Sequence, residues 1–281
     1  MGAVGKPYEK DERRARFAEE ARAARPDPAV LCLLIGAEAD PSAGEAELDA
    51  AQAELDRLAG LLPFGPRTPA DWARAVGDLL GGRCGFHGAP ADYRRLESSL
   101  LPEVLRRRRG LPILLSLVWT EVARRAGAPV CGVALPGHFV VGFGPREELV
   151  LADPFAGGAL LSGEQAAALA AGAAGGPLPA GALRPAEPLD VVARVLNNIR
   201  AWAAGRPEHG GVALWALELA MLLPAHPARL RYDHARLLVE RGDYLRGAAE
   251  LEEYADVVAA VEPATARAIR HRARAARALL N

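Results

Sequence analysis

The feature that most constrains this chain is a break in its hydrophobic pattern. A sequence patterned for helices is interrupted by short runs of β-branched and aromatic residues, Val130 to Leu135, His138 to Phe143 and Leu149 to Ala152. Only Pro136-Gly137 and a turn built on Gly144-Pro145-Arg146-Glu147 separate them, and connections that short permit antiparallel hairpins but no crossover. Just before them, Leu111-Pro112 opens a helix running to Arg125, which Gly127 and Pro129 bring to a stop. A helix followed by a strand meander predicts an α+β domain around a small antiparallel sheet.

Both flanks read as helical. Residues 1–28 form a charged lead-in, frayed or partly helical, closing with Pro26 and Pro28. An apolar run from Ala29 to Ile35 begins a helix, and Leu48, Ala51, Leu55, Leu58 and Leu62 give Glu45 to Leu62 a helical stripe. Thr68 is placed to cap a helix with Pro69 at its first position, which Gly81-Gly82 should end. Ala166 to Leu183 is uncharged and nearly long enough to span a membrane, but glycines and prolines break it, so it predicts a surface loop and no membrane span. From about Val191 the pattern is helical again. The resulting division is a lead-in (1–28), a mixed core (29–190) and a helical domain (191–281), in line with the roughly two domains that 281 residues suggest.

Composition narrows the function classes. With 51% hydrophobic and 25% charged residues the chain is neither a disordered tail nor a fibre. A formal net charge of −1 gives no bulk field for nucleic acid, and the dominance of arginine over lysine reads as coding bias. Cys32, Cys84 and Cys131 are too few and too scattered for a disulfide framework. Met1 to Lys10 has no apolar leader, so a cytoplasmic location is expected. Cys84 and His87 have a plausible zinc spacing but no partner pair, so neither metal nor cofactor is expected. The run Arg106 to Arg109 reads as a solvated helix end, with Glu103 supporting Arg107 at i,i+4. Trp119, Trp202 and Trp215 fall at helical core positions.

The residues with chemical potential lie on the predicted hairpin. A turn centred on Pro145-Arg146 sets His138 directly opposite Asp153, on one side of the sheet. Cross-strand neighbours have Cβ atoms ~5 Å apart, so the carboxylate can orient the imidazole, as in the His–Asp half of a catalytic triad. A slip of one residue would turn the two to opposite faces.

Several strings around this pair carry a family resemblance. Gly85-Phe-His-Gly88, Arg107-Arg-Arg-Gly110-Leu-Pro112-Ile-Leu-Leu-Ser116, Glu121-Val-Ala-Arg-Arg-Ala-Gly127, Leu135-Pro-Gly-His138-Phe139 and Asp153-Pro-Phe-Ala-Gly-Gly158 resemble the SirB-type transglutaminase-like proteins. In these bacterial proteins a papain-like transglutaminase core precedes tetratricopeptide repeats. The stretch Ala235 to Ala248, with Gly242-Asp243-Tyr244 at an inter-helix turn, looks like one such repeat. The resemblance implies kinship with the wider transglutaminase superfamily, which uses a Cys nucleophile at a helix start, a His on one strand and an Asp on the next, with the SirB-type proteins generally departing from it at the Cys. His138 and Asp153 match the second and third. The nucleophile position falls at about Pro112 or Ile113, and neither can attack.

Two residues are weighed as substitutes. Ser116 lies one turn into the helix, where the dipole gives a hydroxyl little help. Cys131, placed opposite about Gly142 by the tight turn, would stand roughly 13 Å along the strand from His138. The candidate catalytic residues are thus His138, Asp153 and Ser116. The expected function is a non-catalytic adaptor or regulatory protein that binds a protein or peptide partner through its C-terminal repeats. The alternative is an acyl-transfer or amide-hydrolysing enzyme using the His138–Asp153 pair with a non-Cys nucleophile.

Overall fold

The computed structural model describes residues 10–65, 67–174 and 183–280. The chain divides into two compact units, Met1–Val195 and Leu196–Asn281.

The first unit begins with α1 (Lys10–Ala21) and α2 (Pro28–Ala39). Among the described residues of the charged lead-in, Lys10–Ala21 is therefore helical. Its helix buries Phe17 and Ala21, and sends Arg13 and Arg14 to the buried Glu38 of α2 at 3.4 and 2.7 Å. Asp27 caps α2 by accepting the Ala29 and Val30 amides at 2.8 and 3.1 Å, with Pro28 at the first helical position. Next come α3 (Glu45–Ala59) and α4 (Pro69–Gly77), the latter capped by Thr68 as its sequence predicts. Gly81-Gly82 does not end this coil. It widens instead into a π-turn over Asp78–Arg83, because glycine there lets the backbone touch another loop. A Cβ on Gly81 would lie 1.8 Å from the Gly157 carbonyl oxygen.

After α5 (Leu101–Arg107), α6 (Pro112–Arg125) leads into the sheet. Strands β1 (Val130–Leu135), β2 (His138–Phe143), β3 (Val150–Asp153) and β4 (Ala159–Leu161) pair antiparallel in sequence order. The first three answer to the predicted runs. The fourth, only three residues long, left no period to read. A later segment adds to the outer edge of β1, where Val133 bridges Pro185 and the Ala186 amide donates to the Gly132 carbonyl at 2.8 Å.

The surface loop expected over Ala166 to Leu183 needs correction. Gly163–Ala174 is a helix, α7, whose Ala166 and Ala170 pack on Val133, Leu135, Val140 and Leu151. Alanine is small enough to bring the helix axis close to the pleated surface, so a run that reads as featureless covers one sheet face. Residues 175–182 lie outside the described residues. Among the described residues no helix is long and apolar enough to cross a membrane. The helix α8 (Pro188–Ala203) closes the unit and carries the chain into the second.

The second unit contains α9 (Gly210–Leu222), α10 (Arg229–Glu240), α11 (Tyr244–Val258) and α12 (Pro263–Ala278). Its core is built of small residues: Ala235, Ala248, Ala255, Ala266, Ala273 and Ala276 surround Leu251 and Ile269. Gly247 permits the tightest approach, since a Cβ there would lie 2.8 Å from the Ala235 carbonyl oxygen. Asp243 caps α11, and Gly242 turns the chain at φ +87°.

His234 stands buried between Glu250 at 2.5 Å and Glu218 at 3.7 Å. Its pKa is raised above 6.5, chiefly through Glu218 with further support from Glu250, against desolvation. A raised folded-state pKa stabilises fully below the unfolded value and ceases to do so as pH rises through the folded one. The unfolding midpoint should therefore fall as pH rises above about 6.5. His234→Gln should flatten that dependence in thermal melts followed from pH 5.5 to 9.

Candidate functional site

The site is assembled by two turns. Pro136-Gly137, with Gly137 at φ +68°, reverses the chain so that His138 opens β2. The second turn runs through a 3-10 coil at Arg146–Glu148 and is centred one residue later than the sequence suggests. The register pairs Val141 with Ala152 and Gly142 with Leu151, which puts Asp153 across from Val140. The expected head-on opposition of His138 and Asp153 is thus displaced by two residues. A shift of two preserves the face, and a diagonal pair is within reach of long side chains. Nε2 of His138 and Oδ1 of Asp153 lie 3.0 Å apart.

The contact is close but not aligned. Nε2 is buried, yet it makes no hydrogen bond to Oδ1 and has no other hydrogen-bond partner among the described residues. Asp153 is itself committed, since Oδ1 accepts the Phe155 amide at 2.9 Å and fixes the 3-10 turn Pro154–Ala156. That turn is held against the first unit's helical layer by glycines. The Gly88 amide donates to the Phe155 carbonyl at 2.9 Å, and a Cβ on Gly88 would lie 2.0 Å from the Phe155 ring. Phe155 meets His138 edge-on at 6.1 Å and 89°, and its ring centroid is also 6.1 Å from that of Tyr93. From α8, Arg194 reaches back to the first turn, its Nη2 donating to the carbonyls of Leu135 at 3.1 Å and His138 at 2.9 Å.

Ser116 is not brought to this pair. Strand alternation sends Phe139 to the opposite side from His138, where its ring lines a cavity with Leu117 and Thr120 of α6. Ser116 is wholly buried, and its hydroxyl donates to the Phe139 carbonyl at 3.1 Å. The start of α6 holds Leu111, Pro112 and Ile113, all buried and apolar. Cys131 pairs with Gly142 as the tight turn requires, and burial raises its thiol pKa. Cys32 is fully buried and is raised further by the same cause.

Other sequence expectations are redrawn. Of the arginine run only Arg106, its side chain 70% exposed, is the solvated helix end expected. Glu103 pairs with Arg106 at 2.5 Å instead of with Arg107. Arg109 binds the buried Asp92 at 3.1 Å, and Arg107 lies 3.9 Å from it. Arg108, in the left-handed region at φ 60°, meets Glu54 at 2.5 Å and covers the Phe86 ring. His87 uses both nitrogens locally, Nδ1 with the Gly85 carbonyl at 2.8 Å and Nε2 with Arg109 at 3.1 Å. Trp119 is core, but Trp202 and Trp215 are partly exposed, and Trp202 stacks on His209 at 4.2 Å. Sequence reasoning missed Arg194 and Tyr93 altogether, because neither falls in a motif. Phe155 was in view only as a letter of the Asp153-Pro-Phe string.

A helix laid beside a small antiparallel sheet, with His and Asp meeting across neighbouring strands, defines a papain-like core, and a helical-repeat unit follows it. The chain belongs to the transglutaminase-like superfamily, whose family profile matches residues 43–197. Residues 199–281 match the tetratricopeptide repeat family. A UPF0162 protein of Xylella fastidiosa is 34% identical over 162 residues, covering 56% of this chain and 58% of that protein. A UPF0162 protein of Pseudomonas aeruginosa is 36% identical over 113 residues, covering 39% of this chain and 41% of the relative. Mouse F-box only protein 21 is 36% identical over 67 residues, 24% of this chain and 11% of that protein. The match thus spans little more than half the length of the Xylella relative. These similarities support the SirB-type family, a transglutaminase-like domain followed by tetratricopeptide repeats.

Proposed function

We propose that this protein is a non-catalytic adaptor, a transglutaminase-like domain that no longer performs acyl transfer joined to a repeat unit that holds a protein or peptide partner. The observation that carries the proposal is the start of α6. The position a thiolate would occupy, where a helix N-terminus lowers a thiol pKa, is filled by buried Leu111, Pro112 and Ile113. The first hydroxyl along that helix, Ser116, is sealed in the core and donates to a strand carbonyl. The tetratricopeptide match supports a protein-interaction role for the remaining third of the chain.

A second reading is favoured by one observation, the 3.0 Å approach of His138 to Asp153. It is an acyl-transfer or amide-hydrolysing enzyme in which His138 acts as base toward a nucleophile supplied by the substrate, such as an amine.

One comparison separates the two. Wild type and the His138→Ala, Asp153→Ala and Ser116→Ala variants would be assayed for hydrolysis and amine incorporation over a panel of acyl donors. The adaptor predicts no turnover above the protein-free control for any of the four. Turnover that His138→Ala abolishes while the fold is kept overturns it.

A further inference from the structure

We propose that Arg194 and Tyr93, beside His138, form a subsite that binds a carboxylate carried on a peptide, with Phe155 as the apolar floor for the neighbouring side chain. The subsite is as useful to an enzyme as to an adaptor, so it stands or falls separately from the function proposed above.

The unusual group is Arg194. A guanidinium carries five N–H donors in a planar fork. In Arg194, Nη2 serves the carbonyls of Leu135 and His138, which fixes the plane of the fork against the turn. The side chain is further held over the Phe139 ring at 5.7 Å. Its Nε and Nη1 donors bond to no group among the described residues, and they are not sealed from solvent. Several other partly buried arginines of this unit have a carboxylate, as Arg109 has Asp92 at 3.1 Å and Arg125 has Asp56 at 2.6 Å. Arg194 has none among the described residues. Burial accordingly lowers its pKa, with only Tyr93 acting in the other direction.

An uncompensated, half-desolvated cation is costly to keep. An anion that arrives from outside and accepts from the free edge of the fork would relieve that cost, and carboxylate geometry suits such a two-point contact. Tyr93 adds a second donor. Its ring is half-exposed and packs on Phe155, and its hydroxyl bonds to nothing among the described residues. Ring contacts run from Tyr93 through Phe155 to His138, whose carbonyl Arg194 holds, and burial raises the phenol pKa, with the charge of Arg194 acting to lower it and that of Asp153 to raise it. The neighbouring acid, Asp153, already accepts the Phe155 amide and lies 3.0 Å from the imidazole. The ligand is therefore a carboxylate next to an apolar or aromatic side chain, from a chain terminus or from an acidic residue.

Two-dimensional NMR on the whole protein tests this, following the His138 ring and the Arg194 Nε–H during titration. The probes are N-acetylphenylalanine, N-acetylglutamic acid α-amide and N-acetylphenylalanine amide. The expected result is a saturable shift of both signals with one or both carboxylates and none with the neutral amide. The carboxylate that binds more tightly identifies the source as a terminus or a side chain. Arg194→Gln should weaken binding by about tenfold or more. Arg194→Lys, which keeps the charge without the fork, should weaken it less, and it carries the comparison if the Gln variant fails to fold. No saturable shift with either carboxylate, equal binding of the amide, or unchanged affinity in the folded variants overturns the proposal.

Discussion

Replacing Asp92 with alanine is expected to lower the unfolding free energy by about 3 kcal/mol. The carboxylate is buried, and each of its oxygens has work at more than one donor. Oδ2 takes Arg109 at 3.1 and 3.3 Å and the Ala89 amide at 2.8 Å. Oδ1 takes the Ser98 hydroxyl at 3.4 Å and faces Arg107 at 3.9 Å. Alanine would leave the partly buried Ala89 amide without its acceptor and take the carboxylate away from two guanidiniums, and Arg107 already has a buried Nη1 with no partner. Removing one member of a buried ionic cluster costs more than the cluster contributes, since the loss includes the stranded charges. The estimate stays at the lower end because the Arg109 side chain is 34% exposed and water recovers part of its solvation. Urea unfolding of the variant beside wild type measures the difference. A loss under about 1 kcal/mol would mean that the arginine run behaves as a surface feature after all.

The second large effect is expected from Gly81→Ala. Its methyl group would stand 1.8 Å from the Gly157 carbonyl oxygen, and backbone cannot swing aside as a side chain can. Either the π-turn over Asp78–Arg83 or the loop that follows Asp153 must move. Forcing bulk into a packed interior costs typically about 1–3 kcal/mol, and rigid backbone on both sides puts this case at the upper end. The displacement would also disturb Asp153, whose carbonyl accepts the Gly158 amide at 2.8 Å. The expected outcome is a lower denaturant midpoint together with a shifted NMR resonance for the His138 ring. Gly81→Ala with a wild-type midpoint would show that the two loops separate freely.

How much of this was legible in the sequence follows from the range of each signal. The strands Val130–Leu135 and His138–Phe143 were legible because a two-residue turn leaves a single pairing. The cap of α4 was local too, residing in Thr68-Pro69. The meeting of His138 with Asp153 came from parity, which survives an error of two in register but not of one. What stayed hidden depends on distant chain. Gly81-Gly82 signals a helix end, yet its glycines serve contact with Gly157, more than seventy residues away. The alanines of α7 carry no strong amphipathic stripe and become a helix by packing on the sheet. Arg107 and Arg109 turn inward because Asp92 is buried there, and no spacing rule connects residues 92 and 109. The site divides the same way, with its pair readable from a hairpin and its flanking Arg194 and Tyr93 supplied by tertiary structure.

The segment lying along β1 has a consequence for how copies of this protein meet one another in concentrated solution. An unpaired strand flank invites a neighbouring molecule to zip onto it. Here Ala186 occupies an acceptor on that flank, and Pro185 beside it has no amide hydrogen to extend the ladder. At the far side β4 is only three residues long. Both margins of the sheet are thus poor templates for intermolecular strand growth, which leaves side chains, not exposed backbone, to decide what this molecule sticks to.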